Sequence, residues 1–106
     1  MAKYLIQANY IGEGINGLVK EGGSSRRAAV EKLAGSVGGT IEAYYYAFGD
    51  TDLFVIADMP DNVSAAAVSL TASAAGTATT KVTVLLTAEE VDAAAKKSPS
   101  YRPPGK

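Results

Sequence analysis

The sequence predicts an α+β fold: one antiparallel sheet with helices packed on a single face. Three observations carry that prediction. Residues 2–10, 40–48, 52–59 and 77–86 alternate side chains with the period of a strand. Segments of helical periodicity follow the first and third of these, each ended by glycine. Only Gly49 to Thr51 separate the two middle strands, a spacing that suits an antiparallel hairpin.

In the first strand Tyr4, Ile6, Ala8 and Tyr10 share one face, and Lys3, Leu5, Gln7 and Asn9 the other. Residues 13–21 place Ile15, Leu18 and Val19 at helical spacing but include Gly14 and Gly17, so they read as a loosely wound segment stopped by Gly22 and Gly23. A fresh helix is expected at SSRRAAVEKLAGSV, capped by Ser24 or Ser25, with Val30, Leu33 and Val37 on one face and Gly38-Gly39 beyond it. The hairpin strands are rich on both sides. Ile41, Ala43, Tyr45 and Ala47 oppose Tyr44, Tyr46 and Phe48, and Leu53, Val55 and Ala57 oppose Phe54 and Ile56. After Pro60, Asp61 is the expected cap of a helix through residue 75, whose apolar face reads Val63, Ala66, Ala67, Leu70 and Ala74. In the last strand Val82, Val84 and Leu86 oppose Lys81, Thr83 and Leu85. Thr87 and Glu90 then have the spacing of a capping box at the start of a short final helix. The order β-α-β-β-α-β with a trailing helix is that of a ferredoxin-like sandwich. It forms one domain over residues 1–97, followed by an extended Pro-rich tail, 98–106.

Such a sheet leaves one face uncovered, and that face is ordinarily polar. Here it is too apolar for a monomer, so a second copy is expected to cover it, sheet against sheet, in a two-fold dimer or higher homo-oligomer.

The 106 residues carry ten Lys and Arg against eleven Asp and Glu, which argues against a nucleic-acid or anionic-membrane partner. No run reaches the ~18 apolar residues of a membrane span, and the N-terminus lacks the apolar core of a secretory signal. A soluble, cytoplasmic protein is the expectation. With no cysteine and no histidine, the chain lacks thiolate and imidazole ligands and the usual general base near neutral pH, and neither metal nor cofactor is expected.

Four motifs invite a chemical reading. Gly12, Gly14 and Gly17 are spaced G-x-G-x-x-G after a strand, as in a dinucleotide loop. The next strand nevertheless enters a hairpin instead of a second β-α unit, and Asp50 lies far beyond the spacing of roughly 20 residues expected of a ribose-binding acid, so these glycines read as a connection at the sheet rim. Gly49-Asp50-Thr51-Asp52 offers two carboxylates, too few for calcium, and reads as the hairpin turn. Arg26 and Arg27 suit a phosphate, but Glu21 and Glu31 are cheaper partners. Finally, if Tyr45 joins the core, Tyr44 and Tyr46 stand with Gln7, Asn9, Glu42, Lys81 and Thr83 on the open face. Gln7, Asn9, Tyr44, Tyr46 and Lys81 are the candidate ligand-binding residues, lining either an interface or a small-molecule cleft.

The runs YLIQANY, EGGSSRRAAVEKL, YYYAFGDTD, FVIADMPDNVSAAA and LLTAEEV, taken in this order, resemble the GYD-domain family of small bacterial proteins. The resemblance extends from Tyr4 to about Val91. The Gly-Tyr-Asp signature falls at Gly49-Asp50-Thr51-Asp52, where Gly49 and Asp52 fit and Thr51 stands in the place of tyrosine. The resemblance implies a ferredoxin-like fold related to dimeric α+β barrels and no established activity. Some related barrels are cofactor-free oxygenases or haem-degrading enzymes; the latter generally use a histidine, which this chain lacks. Two functions remain open: a homo-oligomeric small-molecule-binding or structural module, and a cofactor-free enzyme in which Gln7 or Asn9 orients a substrate while Tyr44 or Tyr46 exchanges a proton. Tyrosine is a poor base near neutrality unless its pKa of about 10 is lowered.

Overall fold

The computed structural model describes residues 1–47 and 49–106. The elements run β1 (Ala2–Tyr10), α1 (Gly14–Glu21), α2 (Gly23–Gly35), β2 (Thr40–Tyr46), β3 (Leu53–Met59), α3 (Asn62–Ala74), β4 (Ala78–Leu85) and α4 (Ala88–Lys97). The four strands are ordered β2-β3-β1-β4, every neighbouring pair antiparallel. The α1–α2 connection therefore passes over β3, and α3 passes over β1. This is the ferredoxin-like α+β arrangement.

The core lies between the sheet and α2 and α3. Alternation is clean in the two central strands: Tyr4, Ile6 and Ala8 of β1 and Leu53, Val55, Ala57 and Met59 of β3 are buried. Tyr4 is 1% exposed, and its hydroxyl donates to Asn62 Oδ1 at 2.5 Å, fastening β1 to the first residue of α3.

On β2 the expected alternation fails. Ile41 pairs with Ala57 but Ala43 pairs with Ile56, so Glu42 is an extra residue, a β-bulge. Beyond it each side chain changes face. Tyr44 opposes Val55 and Tyr46 opposes Leu53 on the helix-covered side, while Tyr45, opposite Phe54, is 71% exposed. Strict alternation had placed Tyr45 inside and Tyr44 and Tyr46 outside. The bulge sets Tyr44 and Tyr46 beside Ile41 on the core side in place of Ala43 and Tyr45, which buries two aromatic rings instead of one. Phe48, grouped by sequence with Tyr44 and Tyr46, lies outside the described residues.

Two helices also differ from expectation. In α2 neither Ser24 nor Ser25 is the cap: the helix starts at Gly23, with Gly22 before it at φ +88°, because that left-handed residue makes the break from α1 earlier. Val30, Leu33 and Val37 do pack on the core, around buried Ala34. In α3 the buried residues are Ala65 and Val68, whereas Val63 and Leu70 are 79% and 70% exposed. An Ala-rich helix is apolar nearly all round, so its periodicity does not choose a face. The N-cap is as expected: Asp61 Oδ1 accepts from the Ser64 N–H at 2.7 Å, a bond that holds its carboxyl below the usual carboxylate range.

α4 shows the capping box, with Glu90 N–H donating to Thr87 Oγ1 (3.1 Å) and Thr87 N–H to Glu90 Oε1 (2.9 Å). None of its residues is buried. The radius of gyration, 16.9 Å, exceeds the roughly 13 Å of a compact domain of this length, because α4 and the tail extend away from the sandwich. Among the described residues no helix is long and apolar enough to cross a membrane.

The first connection is held by close packing. Ile11 N–H donates to Thr77 O at 2.9 Å, which brings Gly14 so near that an added Cβ would lie 2.1 Å from the same carbonyl. Around Gly17 there is open space. Gly14→Ala is therefore expected to destabilise the protein by about 2 kcal/mol or more. Gly17→Ala, in a helix interior, is expected to be neutral or to stabilise by up to about 1 kcal/mol. Urea denaturation midpoints of the two variants check the contrast.

Candidate functional site

At the end of β1 the hairpin turn is pinned to the strand beside it. Tyr10 N–H donates to Asp52 Oδ2 (2.9 Å), while Asp52 N–H donates to Asn9 Oδ1 (2.9 Å) and to Ala8 O (3.1 Å). Thr51 Oγ1 reaches Gln7 Oε1 at 3.4 Å. Asp52 thus serves as a turn residue, and the side chains of Gln7 and Asn9 hold the same turn. Lys81, exposed, stands opposite Gln7 on the open face. Tyr44 and Tyr46 lie on the other side of the sheet, so the five residues singled out by sequence do not form one cluster.

What the fold does assemble is a group of phenols under α2. Tyr46 Oη donates to Gly23 O at 3.0 Å, and the Tyr44 and Tyr46 hydroxyls are 3.4 Å apart. Their rings meet edge to face at 5.4 Å. Because Tyr46 gives its proton to Gly23, its oxygen is the acceptor for Tyr44. The contact is close: a Cβ on Gly23 would lie 3.0 Å from Tyr46 Cε2, so a larger residue there would push the ring aside. Above the pair, the Arg27 guanidinium sits 5.9 Å from the Tyr44 ring centroid and 3.9 Å from Glu31, and Arg26 is 3.7 Å from Glu21. Both arginines therefore have the acidic neighbours expected from sequence.

Burial, reinforced by the Tyr46 hydroxyl, pushes the Tyr44 phenol far above the ordinary tyrosine value. Burial also raises Tyr10, with a further contribution from Tyr46 and a partial offset from Arg26. Both groups are neutral hydrogen-bond donors at physiological pH and unsuited to act as bases.

Beside these tyrosines a cavity of about 260 Å³ opens between the sheet and the two helices. Ile6, Leu53 and Val55 form its floor, Val30 and Leu33 of α2 one wall, and Val68 and Ala72 of α3 the other. Tyr10 and Arg26 stand where β1 ends. The Ser69 and Thr80 hydroxyls on the lining hydrogen-bond each other, and Ser73 bonds Thr80 at 3.2 Å. A second hollow of about 300 Å³ is bordered by Tyr10, Ile15, Leu18, Tyr46 and Asp52, and a third by Tyr44, Tyr46 and Arg27. These hollows lie on the helix-covered side of the sheet, whereas the sequence reading placed a cleft on the open face.

The sequence profile of the GYD domain matches residues 4–95, from β1 into α4. The chain belongs to the GYD-domain family. No curated protein and no solved structure matches it. In this GYD domain the turn from Gly49 to Asp52 locks the hairpin to β1. Gly12, at φ +55°, and Gly14 shape the connection beneath α1, as the sequence indicated, while Gly17 makes no close contact. Sequence reasoning did not join Tyr10 and Arg26 to the tyrosine pair. The signal was weak: only a bulge in β2 puts Tyr44 and Tyr46 on the Tyr10 face, and no residue type marks it.

The raised pKa values predict the alkaline behaviour of the domain. Phenols whose folded pKa exceeds the unfolded value of about 10 contribute stability that is complete below that pH and is lost as pH rises toward the folded value. Spectrophotometric titration is expected to show Tyr44 and Tyr10 ionising only as the protein unfolds. Tyr44→Phe is expected to remove one of the late-titrating groups.

Proposed function

We propose that this GYD domain is a homodimeric small-molecule-binding module whose ligand occupies the cavity between the sheet and α2–α3. The cavity itself carries the reading: about 260 Å³, walled by aliphatic side chains, with Tyr10 and Arg26 as orienting groups at one end. The protonated phenols favour binding over the alternative of cofactor-free catalysis, since neither Tyr44 nor Tyr10 is poised to take up a proton.

Self-association is supported by the open sheet face. Tyr45 and Phe54, paired across β2 and β3, are 71% and 38% exposed, with half-buried Leu5, Ile56 and Leu85 on the same face. Lys3 bridges Glu42 (2.6 Å) and Asp58 (3.0 Å), and with Lys81 on the same face two cations balance these two acids. An aromatic and aliphatic patch with internally matched charge suits a second copy of itself.

Sedimentation equilibrium at micromolar concentration is expected to give a dimer, and the double variant Tyr45→Glu/Phe54→Glu a folded monomer; a monomeric parent protein overturns the assembly. For the cavity, the neutral fluorophore N-phenyl-1-naphthylamine is expected to bind at one site per chain and to be excluded by Ala72→Trp, with circular dichroism unchanged. Absence of saturable binding to the parent protein overturns the binding reading.

A further inference from the structure

We infer that the cavity takes an apolar monocarboxylate, its anionic end at Arg26 and Tyr10 and its hydrocarbon body along Ile6, Val55 and Val68. This rests on the reading that the cavity binds a small molecule, and deepens it by naming the class.

The argument is an inventory of polar groups. Among the described residues no carboxylate and no second cation lines the cavity. Of its serine and threonine hydroxyls, Ser69 and Thr80 are engaged with each other, and Thr71 and Thr77 belong to exposed residues, so that the interior of the lining presents mainly carbon. Arg26 is different. Its only ion-pair partner among the described residues is Glu21 at 3.7 Å, beyond hydrogen-bond length, with both side chains partly exposed. A guanidinium carries five N–H donors, and this contact leaves them open to a planar two-oxygen acceptor, which the fork geometry fits. Arg27 is not equivalent: it lies over the Tyr44 ring and borders a different hollow. Tyr10 adds a phenol that keeps its proton and so donates. Asp52, beside Tyr10, has its carboxylate committed to the Tyr10 backbone N–H. A cationic ligand would face Arg26 with no counter-charge in the lining, and a polyol would find most of the floor and walls without hydrogen-bond partners.

The test is a pair of competitors alike in shape. Naphthalene-2-carboxylate and naphthalene-2-carboxamide are each titrated at neutral pH against N-phenyl-1-naphthylamine bound to the full chain. The carboxylate is expected to compete about tenfold more strongly than the amide. Arg26→Gln is expected to erase that preference by weakening the carboxylate far more than the amide, and Arg27→Gln to retain it. Equal competition in the parent protein, a preference that survives Arg26→Gln, or failure of both competitors against a bound fluorophore overturns the carboxylate assignment and leaves the cavity reading standing. Failure of the fluorophore itself to bind overturns both.

Discussion

The helix-covered side of the sheet depends on one extra residue. Glu42 interrupts the β2–β3 ladder, and from that point the strand turns Tyr44 and Tyr46 inward. Their hydroxyls reach the start of α2 through Gly23 O, and α2 in turn carries Arg26, Val30 and Leu33 to the rim and wall of the cavity. A change of register in one edge strand therefore sets the position of a helix across the core. Glu42 has its own anchor on the open face, the Lys3 ammonium it shares with Asp58. Such partly exposed pairs add little stability by themselves. Their effect here is to fix where the bulge residue points.

The parts of the fold visible in the sequence are those where one local rule acts alone. β1 and β3 are central strands whose alternation meets no competing demand, so their inward residues are readable directly. Asp61 and the Thr87–Glu90 pair are visible because a cap needs only its own helix. The bulge was hidden because it satisfies a tertiary demand, the joint packing of Ile41, Tyr44 and Tyr46, at the expense of a strand's regular period. α3 was misoriented for a related reason: with alanine on every side, the choice of Ala65 and Val68 over Val63 and Leu70 is made by the sheet it lands on. The candidate site inherits both uncertainties, since β2 and α3 border it. Its fixed points, Tyr10 and Arg26, were each legible as an inward tyrosine and a paired arginine, but not as neighbours.

The two faces of the sheet divide the polar side chains by task. On the open face Gln7 and Asn9 hold the hairpin turn and Lys3 gathers two acids. On the covered face the hydroxyls of Tyr44 and Tyr46 pass their hydrogen bonds inward to backbone, and among the described residues no buried side-chain polar atom is left without a partner. Tyr10 spans the two systems, its backbone bonded to the turn and its ring set among the phenols.

The small side chains that α3 turns toward the sheet, Ala65, Val68, Ser69 and Ala72, do not fill the space above Ile6 and Val55 to the density of an ordinary interior. The cavity is the volume they leave. An occupant would then be core material supplied from outside the chain, and its binding free energy would add to that of folding in proportion to the logarithm of its concentration. In such a protein saturation with ligand and completion of the hydrophobic core are one event.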